Sequence, residues 1–173
     1  GGLGVWSDAY IGGSINLSGS TSGTATVAAS AVAGTPTLTL PTTTGTVAID
    51  GPAFSAYLNS VQVILNNVTT KITFDAEVFD TNSNFASSRF TPTVAGYYQI
   101  TVATYWTAGT QTAQLSVYKN GAAFSYGPYL SGQGSAISTL VSMNGSTDYV
   151  EIYIYLTGTS TTLYANQTGT YFM

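Results

Sequence analysis

From residue 52 to the carboxyl end, apolar and polar residues alternate with a period of two, in short runs cut by turn residues. That period puts successive side chains on opposite faces of a strand. The clearest run is YYQITVATYW at 97–106, with Tyr98, Ile100 and Val102 on one face and Tyr97, Gln99, Thr101, Ala103 and Tyr105 on the other. DYVEIYIYL at 148–156 repeats it, setting Val150, Ile152, Ile154 and Leu156 against Tyr149, Glu151, Tyr153 and Tyr155. Further strands are predicted at 53–59, 70–79, 88–92, 113–120, 122–127, 136–143 and 162–173, from Val, Ile, Thr and Tyr punctuated by Gly, Pro and Asn. Asn120-Gly121 predicts a two-residue hairpin, and Asn144-Gly145 marks another turn. No apolar i, i+3, i+4, i+7 pattern lasts three helical turns. Many short strands without helices predict an all-β fold, an antiparallel two-sheet sandwich or jelly roll.

Residues 1–51 have a different texture, Gly, Ser, Thr and Ala with few aromatics after Tyr10. Gly12, Gly23, Gly34 and Gly45 lie eleven apart, and Val27, Leu38 and Ile49 each follow the last three of them by four residues. Short strands joined by glycine turns produce such a period. One copy cannot bury an apolar face alone, so the segment is expected to stack, to wrap on the main domain or to intertwine with identical chains. A flexible linker is the alternative. The chain therefore divides into a stalk or linker, 1–51, and a compact head, 52–173.

Composition narrows the functions. Only 6% of the 173 residues are charged, against a usual quarter. The surface must then be Thr, Ser, Asn, Gln, Gly and Tyr, which suits a secreted or virion protein. Lys71, Arg89 and Lys119 are the only cations and the net charge is −4, so nucleic-acid binding is excluded and an anionic membrane would repel the chain. His and Cys are both absent, which removes Ser-His-Asp, Cys-His and thiolate or imidazole metal chemistry. No apolar run approaches the roughly 20 residues of a membrane span, so no membrane insertion is expected. The chain opens on Gly-Gly with no secretion leader, and is expected to be a piece of something larger.

Asp75, Glu77 and Asp80 are the densest carboxylates. In a regular strand Asp75 and Glu77 share a face, and they are conceivable oxygen ligands for Ca²⁺ or a glycosidase pair. No Asp-rich calcium loop is present, so surface charge is the expectation, with no metal and no cofactor. Trp106, at a strand end, reads either as a tip anchor for a sugar or as a lid on the core; Trp6 is the other tryptophan. Tyr126 and Tyr129 flank the turn Gly127-Pro128, where exposed rings would serve binding. Sequons at Asn16, Asn67, Asn144 and Asn166 are expected by chance in so Asn- and Thr-rich a chain.

PAFSAYL at 52–58, TKITFD at 70–75, NFASSRFTPTVAGYYQITVATYW at 84–106, LSVYKNGAAF at 115–124, DYVEIYIYL and TLYANQTGTYF at 162–172 stand in an order that resembles the globular head of complement component 1q, a branch of the tumour-necrosis-factor-like jelly rolls. Its most specific part is the Phe90–Tyr98 block, with Gly96, Tyr98 and Ile100 in typical spacing; QTGTYFM departs from the usual ending. The resemblance implies a homotrimer, with Tyr97, Gln99, Thr101, Ala103, Tyr105 and Tyr171 against the three-fold axis. It also implies that Tyr149, Tyr153 and Tyr155 lie on the outer sheet, where, with Trp106, Tyr126 and Tyr129, they are candidate ligand-binding residues. Sheet-stabilising cross-strand pairing is the plainer reading of that tyrosine stripe. The segment 17–48 is similar to one recurring in tail-fibre proteins of tailed bacteriophages. Together these imply a non-enzymatic virion fibre head that binds a host-surface receptor, a polysaccharide, while residues 1–51 contact other virion proteins. A purely structural virion part and a secreted complement- or tumour-necrosis-factor-like ligand are the alternatives.

Overall fold

In a computed structural model the chain divides into two compact units, Gly1–Val47 and Ala48–Met173. The structure describes residues 14–18, 22–28, 51–107 and 111–173. In the first unit, β1 (Ser14–Ser18) and β2 (Thr24–Ala28) pair as an antiparallel hairpin, with Ile15 opposite Val27 and Thr26 Oγ1 donating to Asn16 Oδ1 at 2.7 Å. Gly23, one of the periodic glycines, precedes β2 at φ +81°, a left-handed conformation that favours glycine. Ile15, Leu17 and Val27 stay exposed. Gly12, Gly34 and Gly45, with Leu38, Ile49, Tyr10 and Trp6, lie outside the described residues.

The second unit carries β3 (Phe54–Tyr57), β4 (Gln62–Ile64), β5 (Thr70–Lys71), β6 (Ala76–Asp80), β7 (Phe85–Ala86), β8 (Arg89–Phe90), β9 (Ala95–Tyr105), β10 (Thr112–Lys119), β11 (Ala122–Tyr126), β12 (Leu130–Ser131), β13 (Gly134–Asn144), β14 (Val150–Thr157), β15 (Thr161–Leu163) and β16 (Tyr171–Phe172). One sheet runs β13-β9-β16-β3-β6. A second runs β11-β10-β14-β8-β7, with β5 on β14 and β12 on β10, and β4 pairs with β15 as a separate two-stranded sheet. The two larger sheets are antiparallel throughout, and the chain passes repeatedly from one to the other, so no two neighbours of the first sheet are consecutive in sequence. This interleaving defines an all-β jelly-roll sandwich.

Alternation supplies the core. Ile100 and Val102 of β9, Leu115 and Val117 of β10, and Val150, Ile152, Ile154 and Leu156 of β14 are all buried. A phenylalanine cluster adds to it: Phe54 stacks on Phe90 at 4.4 Å and on Phe85 at 5.0 Å, and meets Phe172 edge-on at 4.7 Å. Such pairs add about 0.5–1.5 kcal/mol beyond the area they bury.

Two predicted strands are broken. The run 70–79 splits into β5 and β6 because the chain leaves one sheet for the other between them, burying Ile72 and Phe74 on the way. The run 162–173 splits into β15 and β16 around a turn in which Asn166 Oδ1 accepts from the backbone and hydroxyl of Thr168. The Asn120-Gly121 hairpin forms between β10 and β11, with both residues at positive φ (53° and 78°) as a type I′ turn requires.

Candidate functional site

The two sheets present outward faces of opposite character. On the first, Tyr97, Gln99, Thr101, Ala103 and Tyr105 of β9 lie beside Ser142, Leu140, Ser138, Ala136 and Gly134 of β13. Tyr171 of β16 is paired with Ala103 on one side and Tyr57 on the other, and Met173 exchanges two backbone hydrogen bonds with Thr101. None of these side chains is Asp, Glu, Lys or Arg, yet Tyr97 is 77% exposed, Leu140 56% and Met173 43%. Gln99 Nε2 donates to Ser138 Oγ at 2.6 Å, and Thr101 Oγ1 lies 3.0 Å from the same oxygen, which occupies the polar groups locally. All six residues predicted for a subunit contact thus fall on one face. A hollow of about 310 Å³ at its border is lined by Phe54, Phe90, Tyr97, Tyr98 and Met173.

The second sheet carries charge and tyrosine. Glu151 of β14 is buried, and its Oε1 accepts from Lys71 Nζ at 2.8 Å and from Arg89 Nε and Nη2 at 3.0 and 2.8 Å. Burial raises the Glu151 carboxyl, but those hydrogen bonds and charges outweigh it and hold the group below its ordinary value. The bond to Glu151 likewise raises Arg89. The Arg89 guanidinium sits 3.7 Å over the Tyr149 ring, and Tyr153 Oη donates to Glu151 Oε2 at 3.4 Å. Tyr153 packs on Tyr118 with centroids 4.1 Å apart. Tyr149 and Tyr153 are therefore engaged in the sheet's own contacts. Lys119, the remaining cation, pairs with Asp148 at 2.8 Å.

Tyr126, Tyr129 and Tyr155 come together, with Tyr118, Thr69, Gln114 and Ser116, around a hollow of about 270 Å³. Aromatic faces beside hydroxyl and amide groups suit a neutral, hydroxylated ligand such as a sugar ring. Sequence spacing found three of these tyrosines. Tyr118 was missed, although the alternation of β10 places it beside Tyr153.

Trp106 corrects the sugar-anchor reading. It is fully buried, continues the inward face of Ile100, Val102 and Thr104, and pairs by its backbone with Leu163. A fully buried indole cannot meet a ligand at the surface; this one closes the core. The carboxylates act locally too. Asp75 Oδ1 accepts from the backbone of Asn59 at 2.6 Å and of Ser60 at 3.4 Å, and Asp80 Oδ2 from Phe85 N at 2.7 Å. Asp75 and Glu77 line one hollow of about 450 Å³. Among the described residues no three potential metal-ligating side chains gather.

No protein-family model matches the chain, and no curated protein matches it. Similar solved structures include the globular domain of zebrafish complement 1qA, 18% identical with a TM-score of 0.48, covering 66% of this chain and 99% of that one. Murine APRIL, crystallised at pH 8.5, is 12% identical with a TM-score of 0.47, covering 69% and 94%. At these identities the fold assignment rests on the strand order itself.

Proposed function

We propose that the chain is a homotrimeric, non-enzymatic head of a bacteriophage fibre that attaches the virion to a polysaccharide on its host. The observation that carries the reading is the uncharged outward face of β9, β13 and β16, with Tyr97, Leu140 and Met173 exposed on it. A solvated sheet face normally carries Lys and Glu; one without charge can pack against copies of itself without stranding an ion in a low-dielectric contact. The hollow beside Tyr97 offers an apolar recess for a neighbouring copy's side chain. Three heads on one stalk bind multivalently, so each site needs only modest affinity.

The exposed Ile15, Leu17 and Val27 of the first unit support a stalk that intertwines with identical chains or docks on other virion proteins. The tyrosine-lined hollow favours a receptor-binding head over a purely structural virion part. Labelled protein incubated with candidate host cells, in competition with phage, tests the reading. Saturable attachment that blocks adsorption is expected. A folded trimer that attaches to no host and never competes would leave a structural virion part.

A further inference from the structure

The tyrosine hollow has a charged neighbour. Lys71 and Arg89 line a second hollow of about 460 Å³ with Ser83, Asn84, Ser87, Thr91 and Thr93. Two of the chain's three cations therefore face one recess in a protein of net charge −4. They share a single carboxylate, Glu151, so the cluster keeps one surplus positive charge, whereas Lys119 is matched one to one by Asp148. The Arg89 contacts use Nε and Nη2; among the described residues Nη1 makes no hydrogen bond, and the Arg89 side chain is 42% exposed. The guanidinium is held from both sides, by Glu151 and by the Tyr149 ring, so little entropy remains to be lost when an oxyanion docks.

The two hollows belong to one track. Tyr126 pairs with Ser116, Ser116 with Tyr153, and Tyr153 with Lys71, a single row across four strands. At the usual strand spacing that row is about 14 Å long. Thr69 lines the first hollow and Lys71 the second, two residues apart on one chain segment.

We propose that this outer face binds an acidic saccharide, with a sugar carboxylate at Lys71 and Arg89 and neighbouring neutral rings against Tyr126, Tyr129 and Tyr155. This deepens the polysaccharide reading above and rests on it. The test is binding of the full chain to an array that pairs uronate-containing oligosaccharides with their carboxyl-reduced, neutral counterparts. Phosphate-substituted oligosaccharides form a third arm.

The expected result is binding to acidic members, lost on carboxyl reduction and weakened by NaCl as screening grows. Arg89→Gln should lower that binding roughly tenfold or more, since it removes a hydrogen bond to a charged group. Glu151→Gln should strengthen it, because the amide oxygen still accepts from Lys71 and Arg89 while the competing negative charge is gone; mere unfolding would move binding the other way. Tyr126→Ala should weaken acidic and neutral rings alike. Equal binding to the reduced counterparts, or indifference to Arg89→Gln and Glu151→Gln, overturns the acidic-sugar proposal and leaves the polysaccharide reading standing. Preference for the phosphate-substituted arm overturns the carboxylate assignment. Binding to nothing on the array, with no attachment to cells, removes both readings.

Discussion

The two sheets bury the same kind of side chain inward and present opposite surfaces outward. Inward, both offer Ile, Val, Leu and Phe at alternate positions. Outward, the β9–β13 face has no charge at all, whereas the β14 face gathers Lys71, Arg89 and Glu151 with Tyr149 and Tyr153 around them. In a chain with so few charges that division is informative. A neutral face suits contact with a copy of itself, and a face with a held cation suits a ligand.

The largest expected effect belongs to the shared core. Trp106→Ala should destabilise the head by about 3–5 kcal/mol, as truncation of a buried tryptophan does. Urea unfolding measures it; an unchanged midpoint would return Trp106 to the surface. Next, Ala103→Glu places a carboxylate at the centre of the neutral face and, in a trimer, three of them together. The trimer should dissociate to folded monomers, read by sedimentation with the near-ultraviolet spectrum retained. The same substitution at Ala123, exposed in β11 of the other sheet, should leave the assembly intact.

A smaller effect is acid destabilisation. Glu151 sits below its ordinary 4.5, burial being outweighed by Lys71 and Arg89. Asp75 sits below its ordinary 3.8, burial being outweighed by the Asn59 and Ser60 donors, and Asp148 below the same value through Lys119 and Asn120. A carboxyl with a depressed folded value stabilises the fold above its unfolded value, and that contribution is lost as pH falls through the folded one. Thermal midpoints should therefore be flat above about pH 5 and fall below about pH 4. Glu151→Gln should shrink the fall, because the variant has one fewer group to protonate. Least of all, Gly121→Ala at φ +78° in the β10–β11 turn should cost about 1 kcal/mol and leave both faces as they are.

Period-two alternation made β9, β14 and their two faces legible, since it runs the length of β9 and is broken in β14 only by Glu151, which its cation partners bury. The same phase, carried two residues past Thr104, would have placed Trp106 inside. Asn120-Gly121 was legible because its residues suit positive φ. The β7–β8 hairpin was not: Ser87 and Ser88 hold φ 53° and 56° there, and serine gives no such signal. The charged cluster was hidden for another reason. Glu151 lies 80 residues from Lys71 and 62 from Arg89, so only the sheet order brings them together. Gly145 shows a similar gap: it read as a turn glycine, but a side chain there would also overlap the backbone of Ala95, a contact no local pattern reveals.

The most direct test of the central claim is the mass of the protein in solution, by light scattering behind a size-exclusion column. The account predicts a stable species of three times the 17.9 kDa chain, which Ala103→Glu takes apart. A wild-type monomer at micromolar concentration would contradict it, and would make the neutral face of β9 itself the first surface to search for a ligand.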